Sequence, residues 1–173
     1  MKLSRGEVTF GYEESGAGDP PLLLIHGWGT NRGVFGPLLR ATCATHRVVA
    51  VDLRGHGESD APLQDPSVEA YADDVAWLAA ALGLDRPVLV GHSLGGLVAL
   101  ELASRLDVRG LVILESPVAA PPAMAAALQP AIDRLETAAY QATASAMLDM
   151  MLGPHFDATG RTRMLADIRS LPQ

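Results

Sequence analysis

Ten residues, Pro87 to Gly96 (PVLVGHSLGG), constrain this chain more than any others. Val88, Leu89 and Val90 make a short apolar strand that runs into Gly91-His92-Ser93-Leu94-Gly95, a G-x-S-x-G pattern, followed by Gly96 and the helix-forming run LVALELASRL. A serine between close glycines, after a buried strand and before a helix, reads as a nucleophile elbow. The turn is so tight that the serine must take a strained backbone conformation, and glycine at the flanking positions keeps strand and helix from colliding. The strain lifts the Ser93 hydroxyl clear of the sheet. The backbone N–H of Leu94, in the first helical turn, is expected to face the point where an oxyanion would form.

The rest of the chain supplies a sheet for this elbow. Val8, Phe10 and Tyr12 alternate with Thr9, Gly11 and Glu13, the period-two pattern of a half-exposed strand expected at a sheet edge. Pro21–Ile25 (PLLLI), Arg47–Val51 (RVVAV) and Gly110–Leu114 (GLVIL) are continuous apolar runs, the mark of strands buried on both faces. Between them, Val34, Phe35, Leu38 and Leu39 suggest a short helix. A longer one is predicted to open at the N-cap Ser67, carry Ala70, Val75, Leu78 and Leu82 on one face, and stop at Gly83. Short strands alternating with helices specify an α/β chain with a doubly wound, mostly parallel sheet, because parallel neighbours need crossover connections. Ligands in such sheets bind beyond the carboxyl ends of the strands, which places His26, Asp52, Ser93 and Glu115 along one rim.

Composition narrows the partners. With 173 residues, 49% of them hydrophobic, the chain can fill a sizeable core. A net charge of −7 without any Lys/Arg cluster argues against nucleic acid and against an anionic membrane. Cys43 is the only cysteine, so no internal disulfide can form and a reducing, cytoplasmic setting fits. The N-terminal MKLSRGEVTF has no apolar core of signal-peptide length, and no stretch reaches the roughly 18 apolar residues of a membrane helix. No cofactor or metal is expected.

Three linked blocks, IHGWG at 25–29, VDLRGHGES at 51–59 and VGHSLGG at 90–96, carry a family resemblance. The chain resembles the N-terminal portion of α/β-hydrolase-fold proteins with a helical cap inserted after the sixth strand, and its HGWG form is similar to small carboxylesterases of the pimeloyl-carrier-protein type. The resemblance implies a serine hydrolase that cleaves a small-molecule ester or similar acyl substrate. Ser93 would be the nucleophile, and Trp28 and Leu94 would give the two oxyanion-hole N–H groups. It divides the chain into 1–117, the first part of the core, and 118–173, a helical cap segment. A non-catalytic ligand-binding relative, or a lyase or haloperoxidase on the same fold, are the alternatives.

The departure from the family pattern lies in the triad. Chain order in the family is Ser, acid, His. After Pro117, however, only helical patterns follow: Ala123–Leu135 with Met124, Leu128, Ile132 and a kink or break at Pro130, then Tyr140, Ala144, Met147 and Met151, then Met164, Leu165, Ile168 and Leu171. The last two core strands are absent, so the histidine and the acid are expected beyond Gln173, and the truncated sheet is expected to expose a parallel edge. Among the histidines present, His92 should point away from the nucleophile, His26 and His56 should brace loops, His46 should be exposed, and His155 alone could swing from the cap. Glu115 falls where some members of the fold place the triad acid, though it can equally be a rim residue at the cap hinge. Asp52 is expected to order its loop, with Arg54 close by. The methionines of MLDMML either line an acyl pocket or form the buried face of a cap helix.

Overall fold

Lys2–Arg5 forms a first strand, β1, that the apolar pattern did not signal. It turns through Gly6, whose φ of +62° suits a residue without a side chain, and pairs antiparallel with β2 (Val8–Ser15) in the register Arg5↔Val8. The strand expected at the sheet edge is therefore second in the sheet, which is why Phe10, Gly11 and Tyr12 are all buried. The polar KLSR takes the edge instead, a composition that discourages pairing with another chain.

In this computed structural model, residues 1–60, 67–119, 122–135, 137, 139–152 and 157–170 are described. The elements that follow are β3 (Leu22–Ile25), α1 (Gly36–Thr42), preceded by a 3-10 turn at Arg32–Phe35, and β4 (Val48–Val51). Next come α2 (Val68–Ala81), β5 (Val88–His92), α3 (Leu94–Arg105) and β6 (Gly110–Leu114). The six-stranded sheet runs β1-β2-β4-β3-β5-β6; β2 is antiparallel to β4, and β4, β3, β5 and β6 are mutually parallel. Ser67 caps α2 as expected, its side chain accepting from the Ala70 N–H at 3.2 Å.

The uninterrupted apolar strands are explained by a core on each face. Successive side chains of β3 point to opposite sides, so Leu23 and Ile25 join Val75, Leu78, Val98 and Leu102 of α2 and α3. Leu22 and Leu24 join Phe35 and Leu39 on the other face. At the far edge β6 pairs with β5, and Val112 and Leu114 are 42% and 40% exposed.

The chain divides into two compact units, Met1–Ser116 and Pro117–Gln173. The described part of the second contains α4 (Pro122–Leu135), α5 (Tyr140–Leu152) and α6 (Ala158–Ser170). Pro130 lies within α4, which continues through it. Tyr140, Ala144, Leu148 and Ile168 are buried, so Leu148 holds a place that heptad-like counting assigned to its neighbour Met147, which is only half-buried. The side chains of Met124, Leu128, Ile132 and Met151, and residues His155 and Leu171, fall outside the described set. Among the described residues no helix is long and apolar enough to cross a membrane.

Candidate active site

The parallel strands end together, which brings Ile25, Val51, His92 and Leu114 to one rim. At the end of β5 the chain reverses into α3 through Ser93, whose φ of 52° and ψ of −118° lie in a region that side-chain-bearing residues rarely adopt. Three backbone hydrogen bonds hold it there, one of them from the Leu97 N–H to the Ser93 carbonyl at 3.3 Å. The Ser93 N–H donates to the carbonyl of Leu114 at 2.9 Å, and the Ser93 carbonyl accepts from Gly96 N–H at 2.9 Å. The hydroxyl makes no capping hydrogen bond to the helix it precedes. The N–H groups of Leu94 and Gly95 come before the first intrahelical donors and belong to the electropositive end of α3.

The elbow glycines answer to backbone proximity. A Cβ on Gly91 would collide with the Gly95 carbonyl, and one on Gly95 with the carbonyls of Ile25 and His26. Helix and strands thus touch without intervening side chains. Gly27 approaches less closely from the other side: its Cβ would stand 3.1 Å from that of Ser93. Trp28, the next residue, is half-buried. The structure thereby brings the HGWG loop against the elbow.

That loop is held by two histidines and a threonine. The carbonyl of Gly27 accepts from His26 Nδ1 and from Thr30 Oγ1, each at 2.8 Å. His26 Nε2 accepts the Leu53 N–H at 3.0 Å, and His56 Nε2 accepts the Gly29 N–H at 3.3 Å. His56 Nδ1 lies 3.1 Å from the Arg54 carbonyl, to which it donates. Both rings are therefore neutral with the proton on Nδ1. Burial, reinforced by the neighbouring His56, pushes the His26 pKa down to about 3, and burial lowers that of His56. The loop-bracing role expected for these two residues is what the hydrogen bonds show.

Asp52 is fully buried and gathers three donors: the Arg32 N–H at 2.8 Å, the Glu58 N–H at 2.9 Å and the Arg32 guanidinium. Its partner is thus Arg32 and not Arg54. Arg54 instead forms a bidentate pair with Asp74 of α2, at 2.8 and 2.5 Å. The local sequence DLR put the wrong arginine beside Asp52, because a side chain two residues along a loop need not point the same way. Arg32 and Thr30 carried no signal in the sequence. Only the rule that a buried carboxylate needs a cation could have prompted a search for the former.

The remaining candidates are dispersed. His46 is half-buried, not exposed, and its Nδ1 lies 2.9 Å from the Pro20 carbonyl. Glu115 has a φ of 49° and a side chain 90% exposed, with Oε2 3.8 Å from His92 Nε2. In the helical unit, Met147 and Met150 border a cavity of about 460 Å³ together with Ala142 and Ala146.

The comparisons with known proteins agree with this geometry. The family model described as alpha/beta hydrolase fold matches residues 20–148. A 2-(acetamidomethylene)succinate hydrolase of Mesorhizobium japonicum is 38% identical over 116 residues, covering 66% of this chain and 41% of its own length. A pimeloyl-[acyl-carrier protein] methyl ester esterase of Neisseria meningitidis is 54% identical over 84 residues, covering 47% of this chain and 25% of its own. The chain thus spans less than half the length of these relatives. The crystal structure of a hydrolase from Pseudomonas aeruginosa superposes with a TM-score of 0.80 at 27% identity, covering 99% of this chain and 67% of that one. The match of the family model over residues 20–148, about three quarters of the chain, shows that the chain belongs to the alpha/beta hydrolase fold family.

Proposed function

We propose that this chain carries the nucleophile and the oxyanion hole of a serine hydrolase that cleaves a carboxylic ester or similar acyl bond through an acyl-enzyme. The observation that carries the reading is the conformation of Ser93, a non-glycine residue at φ 52° between a parallel strand and a helix, beside Gly27. Backbone strain of this kind costs on the order of 1–3 kcal/mol and persists where function uses it.

In the reaction, Ser93 Oγ attacks the acyl carbon while its proton passes to a histidine. The carbonyl oxygen becomes an oxyanion that the N–H groups of Trp28 and Leu94 receive; losing one such donor costs about 3–4 kcal/mol of transition-state stabilisation. Collapse expels the alcohol with the proton returned by the histidine, leaving the acyl group on Ser93. Water, deprotonated by the same histidine, then releases the acid.

The base and its acid are assigned to sequence outside these 173 residues. Two things support this. Of the five histidines, His26 and His56 have both ring nitrogens engaged in the loops, His46 is bonded at Pro20 and His92 has Nε2 3.8 Å from Glu115, while His155 lies outside the described residues. The hydrolase and esterase relatives are also longer than the matched segments, which cover 41% and 25% of them. Glu115, exposed and near His92, is read as a rim residue. Residues 1–117 are read as the first part of the catalytic core and 118–173 as a cap segment. A net charge of −7 disfavours a polyanionic partner and leaves a small-molecule ester or acyl substrate as the fit, and a single cysteine suits a reducing cytoplasm.

Labelling of the full-length protein with a fluorophosphonate tests the reading. The expected result is one adduct, on Ser93, abolished in Ser93→Ala together with hydrolysis of short p-nitrophenyl esters. A folded protein that takes no label and turns over no ester would instead be a binding member of the fold.

A further inference from the structure

Resting on the assignment of the Trp28 N–H as an oxyanion donor, we infer that His26 and His56 form a reciprocal clamp that orients the two peptide planes flanking Trp28. They act as positioning residues for the oxyanion hole. Each of the two rim loops lends an imidazole to the other. His26, at the end of β3, accepts the Leu53 N–H of the β4 loop, and His56, from the β4 loop, accepts the Gly29 N–H of the β3 loop. The ring centroids stand 5.2 Å apart at a tilt of 59°.

The consequence for Trp28 follows from peptide geometry. A trans peptide is planar, with its C=O and N–H pointing in opposite directions. The Gly27 carbonyl is held by His26 Nδ1 and Thr30 Oγ1, so the Trp28 N–H in the same plane is turned away from both and is barred from rotating toward them. In the next plane the Gly29 N–H is held by His56, which fixes the Trp28 carbonyl on the opposite side. The two planes are joined only through the φ and ψ of Trp28, so each is set by its own hydrogen bonds, the first at the Gly27 carbonyl and the second at the Gly29 N–H. Turning either plane would strand a buried polar group.

The clamp works only with unprotonated rings, since a lone pair on Nε2 is what accepts each N–H. The groups facing His56 are the rings of His26 and Tyr71, the carboxylate of Asp52 and the carbonyl of Arg54; those facing His26 include His92 and Arg32. Burial outweighs the attraction of Asp52 and keeps His56 neutral.

Steady-state kinetics of full-length variants on a short p-nitrophenyl ester test the clamp. His56→Phe keeps the ring volume and removes the acceptor. His56→Gln restores an acceptor oxygen near the position of Nε2, and Thr30→Val removes one donor to Gly27. The expected result is a fall in kcat of about 10-fold or more for His56→Phe, with KM changed less than about 2-fold, because an oxyanion donor acts on the transition state. His56→Gln should recover most of that loss at a thermal midpoint like that of His56→Phe, and Thr30→Val should reproduce part of it. Wild-type kcat in His56→Phe, a change confined to KM, or a glutamine variant no better than phenylalanine would overturn the clamp. If His56→Phe does not fold, Thr30→Val decides: unchanged kcat there overturns it. Failure of the Ser93 reading looks different, since the wild type would then take no fluorophosphonate label; that result removes the oxyanion and the clamp's purpose together.

Discussion

The backbone N–H of Ser93 donates to the Leu114 carbonyl at 2.9 Å, tying the elbow after β5 to the last residue of β6. The strained serine is therefore held from outside its own turn. A residue at φ 52° and ψ −118° stays there only because the strands on either side leave it no alternative.

Replacing that serine separates strain from chemistry. Ser93→Gly should raise the unfolding free energy of the full-length protein by about 1 kcal/mol, since glycine adopts this conformation without the cost of a Cβ. Ser93→Ala keeps the Cβ and should stay near wild type in stability. Urea denaturation of the three proteins checks this, and equal midpoints for glycine and alanine would show the elbow to be unstrained.

Gly95→Ala forces a Cβ onto the Ile25 and His26 carbonyls. Neither is a side-chain end that can swing away, so α3 must move off the sheet. The expected destabilisation is about 1–3 kcal/mol, the range for overpacked interiors, accompanied by loss of fluorophosphonate labelling as the Leu94 N–H shifts. Thermal unfolding and labelling rate together check it.

Asp52→Asn removes the buried one of the two carboxylates that pair with Arg32, the other being Glu58 at 2.5 Å, while leaving the site filled. Asp52 is fully buried and accepts from Arg32 twice and from the Glu58 N–H. Leaving a buried charge without its partner costs about 3–5 kcal/mol, and because Arg32 is one-fifth exposed and keeps its pair with Glu58 the expected loss is smaller, about 2 kcal/mol. Chemical denaturation gives the number; a loss under about 1 kcal/mol would mean the amide satisfies the same donors.

Stability should also fall on the acid side of neutrality. His26 is held at a pKa of about 3 against an ordinary 6.5, and His56 is lowered as well. The unfolded chain binds protons that the folded one refuses, so unfolding free energy drops as pH falls below about 6.5, and for His26 continues to drop toward about pH 3. Each group contributes a slope of up to about 1.4 kcal/mol per pH unit while it is protonated only in the unfolded chain. Urea midpoints between pH 5 and 6.5 should therefore fall more steeply in the wild type than in His56→Gln. Equal slopes would show that His56 takes up its proton while folded.

The hydrophobic runs, the caps and the elbow were legible because each is a local matter. Alternating apolar strands and helices specify a parallel sheet, Ser67 is followed three residues later by the N–H it caps, and G-x-S-x-G describes a turn within five residues. The first strand was not legible: Lys2–Arg5 is polar, and only its pairing with β2 makes it a strand. At the rim, the sequence placed His26, Asp52, Ser93 and Glu115 at strand ends, which the parallel register alone requires.

Periodicity and steric size along single stretches of chain are enough to set the alternation of buried strands with helices, the position of the elbow and the need for glycine around it. Which arginine meets Asp52, how far each histidine is buried, and the reach of His26 and His56 into each other's loops are settled by the packed sheet. Those pairings join residues 20 to 27 positions apart in the chain, and the side-chain directions and desolvation that select them exist only once the sheet has brought the strand ends together.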